Sequence, residues 1–129
     1  MHFCLTTYKL IKRGKLKSFI KMDHLKEEIL LAMDSSTMSY MEKCRILLSA
    51  LSDIEDWRWL QELYLKYALD QNDSIAGLSI TCIGHIARIH QNIDLPRVHK
   101  VFQYISEIRP NLKGRIKDSL DDISAFITS

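Results

Sequence analysis

The chain has 129 residues, 47% of them hydrophobic and 26% charged, which suits one globular domain with a real core. Four glycines and two prolines are too few for the turns of an all-β fold, so helices joined by short loops are expected. The net charge of +2 conceals an asymmetry: residues 1–21 carry Lys9, Lys12, Arg13, Lys15, Lys17 and Lys21 with no acid, and the other 12 basic residues share the rest of the chain with all 16 acidic ones.

That division predicts a basic leader over 1–21 and a single acidic helical domain over 22–129. In the leader, Phe3, Leu5, Tyr8, Leu10, Ile11, Leu16, Phe19 and Ile20 are interspersed with Lys and Arg without a clean period. Such a segment reads as a disordered arm, as an added edge structure, or as an upstream extension of a protein that natively begins at Met22. The last is favoured because the regular helical pattern starts directly after Met22. No uninterrupted apolar run has the length of a signal-peptide core or a membrane span. Cys4, Cys44 and Cys82 show no paired spacing, so a reducing compartment, the cytoplasm, is expected.

The first helix is predicted over Asp23–Met33, with Leu25, Ile29 and Met33 on one face. Asp34-Ser35-Ser36-Thr37 breaks it and caps a second helix, marked by Met38, Met41, Cys44, Ile46, Leu47, Leu48 and Leu51. Asp53 is read as the start of a third, with Asp56 three residues later as a weak capping box. This helix reaches Leu69 and ends at Asp70-Gln71-Asn72-Asp73. The fourth helix, Asp73–His90, is apolar nearly all round and so is expected to be buried on most sides. Asp73 is placed to cap it. Gly77, Thr81, Gly84 and Arg88 follow at steps of four, three and four and share one side. Two helical glycines cost about 1 kcal/mol each relative to alanine, which predicts a neighbouring helix packed very close to that face. After the turn Gln91–Asp94, Pro96 sits in the first turn of a fifth helix, whose stripe is Leu95, Val98, Val101, Phe102, Ile105 and Ile108. Pro110-Asn111 separates it from a sixth, with Leu112, Ile116, Leu120, Ile123 and Phe126 as the buried face.

The helices repeat. Asp53 and Asp94 are 41 residues apart, and a shift of 37 lays Ile75 on Leu112, Gly77 on Gly114, Ile83 on Leu120, Ile86 on Ile123 and Ile89 on Phe126. A two-helix unit of this length lies near the period of HEAT and armadillo repeats. The expected fold is therefore all-α, a HEAT/armadillo-like stack of three antiparallel helix pairs, with a plain six-helix bundle as the alternative.

Asp73-Ser74-Ile75-Ala76-Gly77-Leu78, the run Cys82-Ile83-Gly84-His85-Ile86-Ala87-Arg88-Ile89-His90, and Ser119-Leu120-Asp121-Asp122-Ile123 resemble a bacterial group of small HEAT-like proteins with a Cys-x-Gly-His-x-Ala-Arg-x-His core and a Leu-Asp-Asp-Ile ending. The resemblance covers about residues 23–127 and leaves the leader outside. Members of this group resemble immunity proteins of polymorphic-toxin and contact-dependent growth-inhibition systems. Membership would imply a non-enzymatic protein that binds the C-terminal domain of one cognate secreted toxin, often a nuclease, and blocks it. No toxin-contact motif carries over from the group residue by residue.

Contact residues must therefore be read from physical chemistry. On the third helix, Ile54, Trp57, Leu60, Tyr64, Tyr67 and Ala68 share the inward side, and Trp59 points the other way among Glu55, Glu62 and Lys66. An exposed Trp among carboxylates is the composition of a binding hot spot with an acidic surround; packing of Trp59 on the leader or a loop is the alternative. Asp70 and Asp73 extend the negative potential, making Glu55, Trp59, Glu62, Asp70 and Asp73 the predicted partner-binding set. An acidic surface complements nuclease domains, which are basic because they hold phosphates.

Cys82 and His85 share a face, and His90 and His99 follow, but one Cys–His pair three apart is half of a zinc site, so no metal is expected. His85 is expected to bond between helices, and Arg88 to tie a loop or the Asp121-Asp122 pair. Asp118, Asp121 and Asp122 belong on the outer face of an amphipathic helix. No nucleophile–base–orienter set assembles, so neither an enzyme nor a cofactor is expected. A general HEAT-type adaptor for another protein is the alternative function. A nucleic-acid-associated protein using the basic leader is a further one.

Overall fold

A computed structural model describes residues 15–127, with side chains from Lys21 onward. Within that range the chain is all-helical, with no strand among the described residues. Six α-helices run in order: α1 Lys15–Asp34, α2 Tyr40–Asp53, α3 Trp57–Tyr67, α4 Asp73–His90, α5 Leu95–Ile108 and α6 Lys113–Phe126, with a 3-10 turn, Pro110–Leu112, before the last. No helix among the described residues is long and apolar enough to cross a membrane.

The chain divides into two compact units between Ser39 and Tyr40. The first contains α1, which starts earlier than the expected Asp23 and continues without a break across residues 21 and 22. Its buried stripe explains the extension: Lys21, Leu25, Ile29 and Met33 are all buried at steps of four, so the pattern begins one turn before Leu25. Residues 1–14 of the basic leader lie outside the described residues. The break after α1 is where Ser35 and Thr37 share a hydroxyl hydrogen bond of 3.0 Å and Ser35 Oγ accepts the Thr37 N–H. Met38 falls in this break rather than in the second helix.

The second unit is organised around α4, which packs against α2, α3 and, most extensively, α6. Ile75, Ile80, Ile83, Ile86, Cys82 and Ala87 of α4 are buried at or near zero exposure, and each isoleucine contributes about 1.5–3 kcal/mol by leaving water. The helix is closed at both ends. Asn72, not Asp73, is the N-cap: its Oδ1 accepts the N–H groups of Ser74 and Ile75 at 2.9 and 3.1 Å. At the other end Gln91 adopts the left-handed conformation with φ 54°, and its N–H returns to the Ala87 carbonyl.

α3 begins at Trp57 rather than Asp53, because α2 runs on to Asp53 and Asp56 supplies the cap, its Oδ1 accepting the Trp59 N–H at 3.2 Å. Inside, Tyr64 donates its hydroxyl proton to the Leu47 carbonyl at 2.7 Å, joining α3 to α2. Leu60, Gln61, Leu63, Leu65 and Tyr67 are buried as well, so α3 is enclosed on more sides than one stripe, whereas Trp57 is only half-buried, with Arg58 stacked over its ring. On α2 the buried residues are Ile46, Leu47 and Ala50; Met41 and Leu48, expected inside, are exposed. Ile108 and Phe126 are likewise exposed at the ends of their stripes, as is Ile89 on α4.

Candidate functional site

The glycine face of α4 is where α6 comes closest. A Cβ at Gly84 would lie 3.1 Å from both Asp122 Oδ2 and Ser119 Oγ, and one at Gly77 would lie 3.4 Å from the Arg115 guanidinium. Polar groups line the contact: Ser119 donates to the Ile80 carbonyl at 2.8 Å, Thr81 to the Gly77 carbonyl at 3.1 Å, and Arg115 to Thr81 Oγ1 at 3.2 Å. The close neighbour predicted for Gly77, Thr81 and Gly84 is thus α6. The shift that lays Gly77 on Gly114 has no packing counterpart, since nothing lies within 4 Å of a Cβ at Gly114.

His85 does not bond between helices. Its Nδ1 pairs with Arg88 Nη2 at 2.8 Å on the same helix. A guanidinium can only donate, so Nδ1 accepts and the ring proton sits on Nε2. Burial, and then the Arg88 charge, push the His85 pKa below its ordinary value. Cys82 faces inward instead, and burial pushes its thiol up to about 12; the Tyr64 hydroxyl is also pushed up by burial. Cys44 is raised by burial and by the charge of Asp70. Cys82 and His85 therefore serve different neighbours, and no group of three or more His, Cys, Asp or Glu among the described residues is placed to hold a metal ion.

The five predicted contact residues have different fates. Trp59 is half-buried in the first turn of α3. Glu62 takes both ends of the Arg97 guanidinium, at 2.7 and 2.6 Å, which holds its carboxyl below the usual range. Its neighbour Gln61 accepts the Asp94 N–H at 2.7 Å, so α3 grips the first turn of α5 at two points. Asp70 is half-buried and accepts the Asn72 N–H at 2.9 Å. Asp73 is paired with Arg109 and bonded by Asn111 at 3.0 Å; hydrogen bonding from Arg109 holds its pKa down. Arg109 also donates to the Asp70 and Gln71 carbonyls, pinning the α3–α4 connection to the end of α5. The negative potential anticipated along this end is therefore offset by Arg97 and Arg109.

Glu55 is the exception. It lies exposed in the connection between α2 and α3, with no ion pair or hydrogen bond from another described residue to its carboxylate. It lines a groove of about 580 Å³ together with Leu51, Ser52, Ile54, Ile89 and His90. Ile89 is 53% exposed there, and His90 Nε2 is buried without a hydrogen-bond partner. Ile89 and His90 are not read as contact residues from the sequence, because an all-round apolar helix gives no sign of which turn emerges from the core. A second hollow, of about 340 Å³, lies between α5 and α6 and is lined by Leu95, His99, Leu120, Ile123, Ser124 and Ile127.

No protein-family model matches the chain, and neither a curated protein nor a solved structure is significantly similar to it.

Proposed function

We propose that the protein acts by binding another protein, as an immunity protein that sequesters the C-terminal domain of a cognate bacterial toxin in the cytoplasm. One observation carries the reading. Several polar side chains of the second unit are spent on its own framework: Ser119 on the Ile80 carbonyl and Tyr64 on the Leu47 carbonyl join helices, while Thr81 and His85 bond within α4. What points outward is contact chemistry: the half-buried Trp59, the free carboxylate of Glu55, and the apolar side chains of Leu48 and Ile89. Trp, apolar anchors and unpaired charge are what protein interfaces use.

The resemblance of the Cys82–His90 run to small HEAT-like immunity proteins supplies the toxin part of the proposal. A HEAT-like layering is supported by α4, which contacts the alternate helices α2 and α6 as well as its predecessor α3. A general HEAT-type adaptor is the second reading, favoured by the same outward side chains.

Co-expression with the protein encoded immediately upstream tests the proposal, scored by co-purification and host survival. Killing by the upstream C-terminal fragment alone, with rescue in a tight complex, is the expected result. A toxic neighbour that is neither bound nor neutralised removes the immunity reading.

A further inference from the structure

The geometry points to the groove between the end of α2 and the last turn of α4 as a docking site for a partner segment that presents an apolar side chain beside a lysine or arginine. The inference rests on the protein-binding reading above and names the chemistry of the segment bound. The apolar half of the argument is the lining: Ile54, fully buried, forms the floor, and Leu51 and Ile89 the flanks. Leu48, one turn before the groove on α2, is 52% exposed. Water-exposed isoleucine and leucine next to a hollow gain by covering with an aliphatic side chain. At about 580 Å³ the groove also falls within the range of ligand sites, about 300–1,000 Å³.

The charged half follows from what is left unpaired. Among the described residues Glu55 is the one charged carboxylate in the lining, and no described lysine or arginine lines the groove with it. The mouth therefore favours a positive group.

The test is an NMR titration of the full-length protein with the peptide acetyl-Gly-Leu-Lys-Leu-Arg-Gly-amide and its counterpart carrying Glu in place of Lys and Arg. Saturable shifts centred on Leu51, Ile54, Glu55, Ile89 and His90 are expected for the basic peptide only. Glu55→Lys should weaken that binding about tenfold or more and transfer preference to the acidic peptide. Ile89→Asp should abolish binding of the basic peptide. Both positions are exposed, so unchanged spectra elsewhere will verify the fold. Absence of a saturable shift up to about 5 mM peptide, equal response to both peptides, shifts centred elsewhere, or indifference to both variants would overturn the proposal. The same variants separate its failure from that of the toxin reading. If they neutralise a co-expressed toxin as well as wild type does, toxin binding stands and the groove is not its site. If wild type binds the basic peptide as described but neutralises no neighbour, the groove stands and the toxin reading falls.

Discussion

His85 shows how one side chain ties stability to pH. In the folded chain its ring is partly buried and accepts a hydrogen bond from a guanidinium, so the charged form is disfavoured and its pKa lies below the ordinary 6.5. The unfolded chain binds that proton more readily. Stability is therefore complete above pH 6.5 and is lost as pH falls through the lower folded value. Glu62 and Asp73, held down chiefly by hydrogen bonds from Arg97 and Arg109, extend the loss at more acidic pH, below their ordinary values of 4.5 and 3.8. Thermal melts between pH 7 and 5 should show Tm falling with acidity in the wild type and falling less in His85→Gln. Parallel curves for the two proteins would mean that His85 is not a source of the acid sensitivity.

At the scale of elements, the contact between α4 and α6 sets the tolerance of the fold. Gly84 meets Ser119 and Asp122 at 3.1 Å, whereas Gly114 meets nothing within 4 Å. Gly84→Leu should destabilise by about 1–3 kcal/mol through overpacking. Gly114→Ala should stabilise by a few tenths to about 1 kcal/mol through helix propensity. Urea denaturation of the two variants checks the contrast, and equal effects would mean that Gly84 does not mark a close approach.

The same contact shows what was legible beforehand. Gly77, Thr81 and Gly84 stand at fixed helical steps, and local periodicity is enough to demand a close neighbour. Local spacing also places Pro96 in the first turn of α5 and Ile116 and Ile123 inside α6, though not Phe126. It fails where one chemistry has two bearers within a turn: Asn72 rather than Asp73 caps α4, and Asp56 rather than Asp53 caps α3. It fails more widely for the acidic surface. Glu62 and Arg97 are 35 residues apart, and Asp73 and Arg109 are 36 apart, so no helical period brings them together. Only the fold pairs them, and only then does Glu55 stand apart from Glu62, Asp70 and Asp73 as the carboxylate of the predicted set with no hydrogen bond or ion pair to another described residue.

For the whole molecule, the central proposal is that a helical framework locked by its own polar groups acts on one partner by occupying it. Occupation is stoichiometric, unlike catalysis. The direct measurement is a titration of the upstream-encoded toxin domain, at fixed concentration well above its Kd for this protein, with increasing amounts of the purified chain. Loss of toxin activity should be linear and break at one equivalent. Inactivation by a small fraction of an equivalent, growing with time, would show turnover instead. Activity unaffected at several equivalents would contradict the account outright.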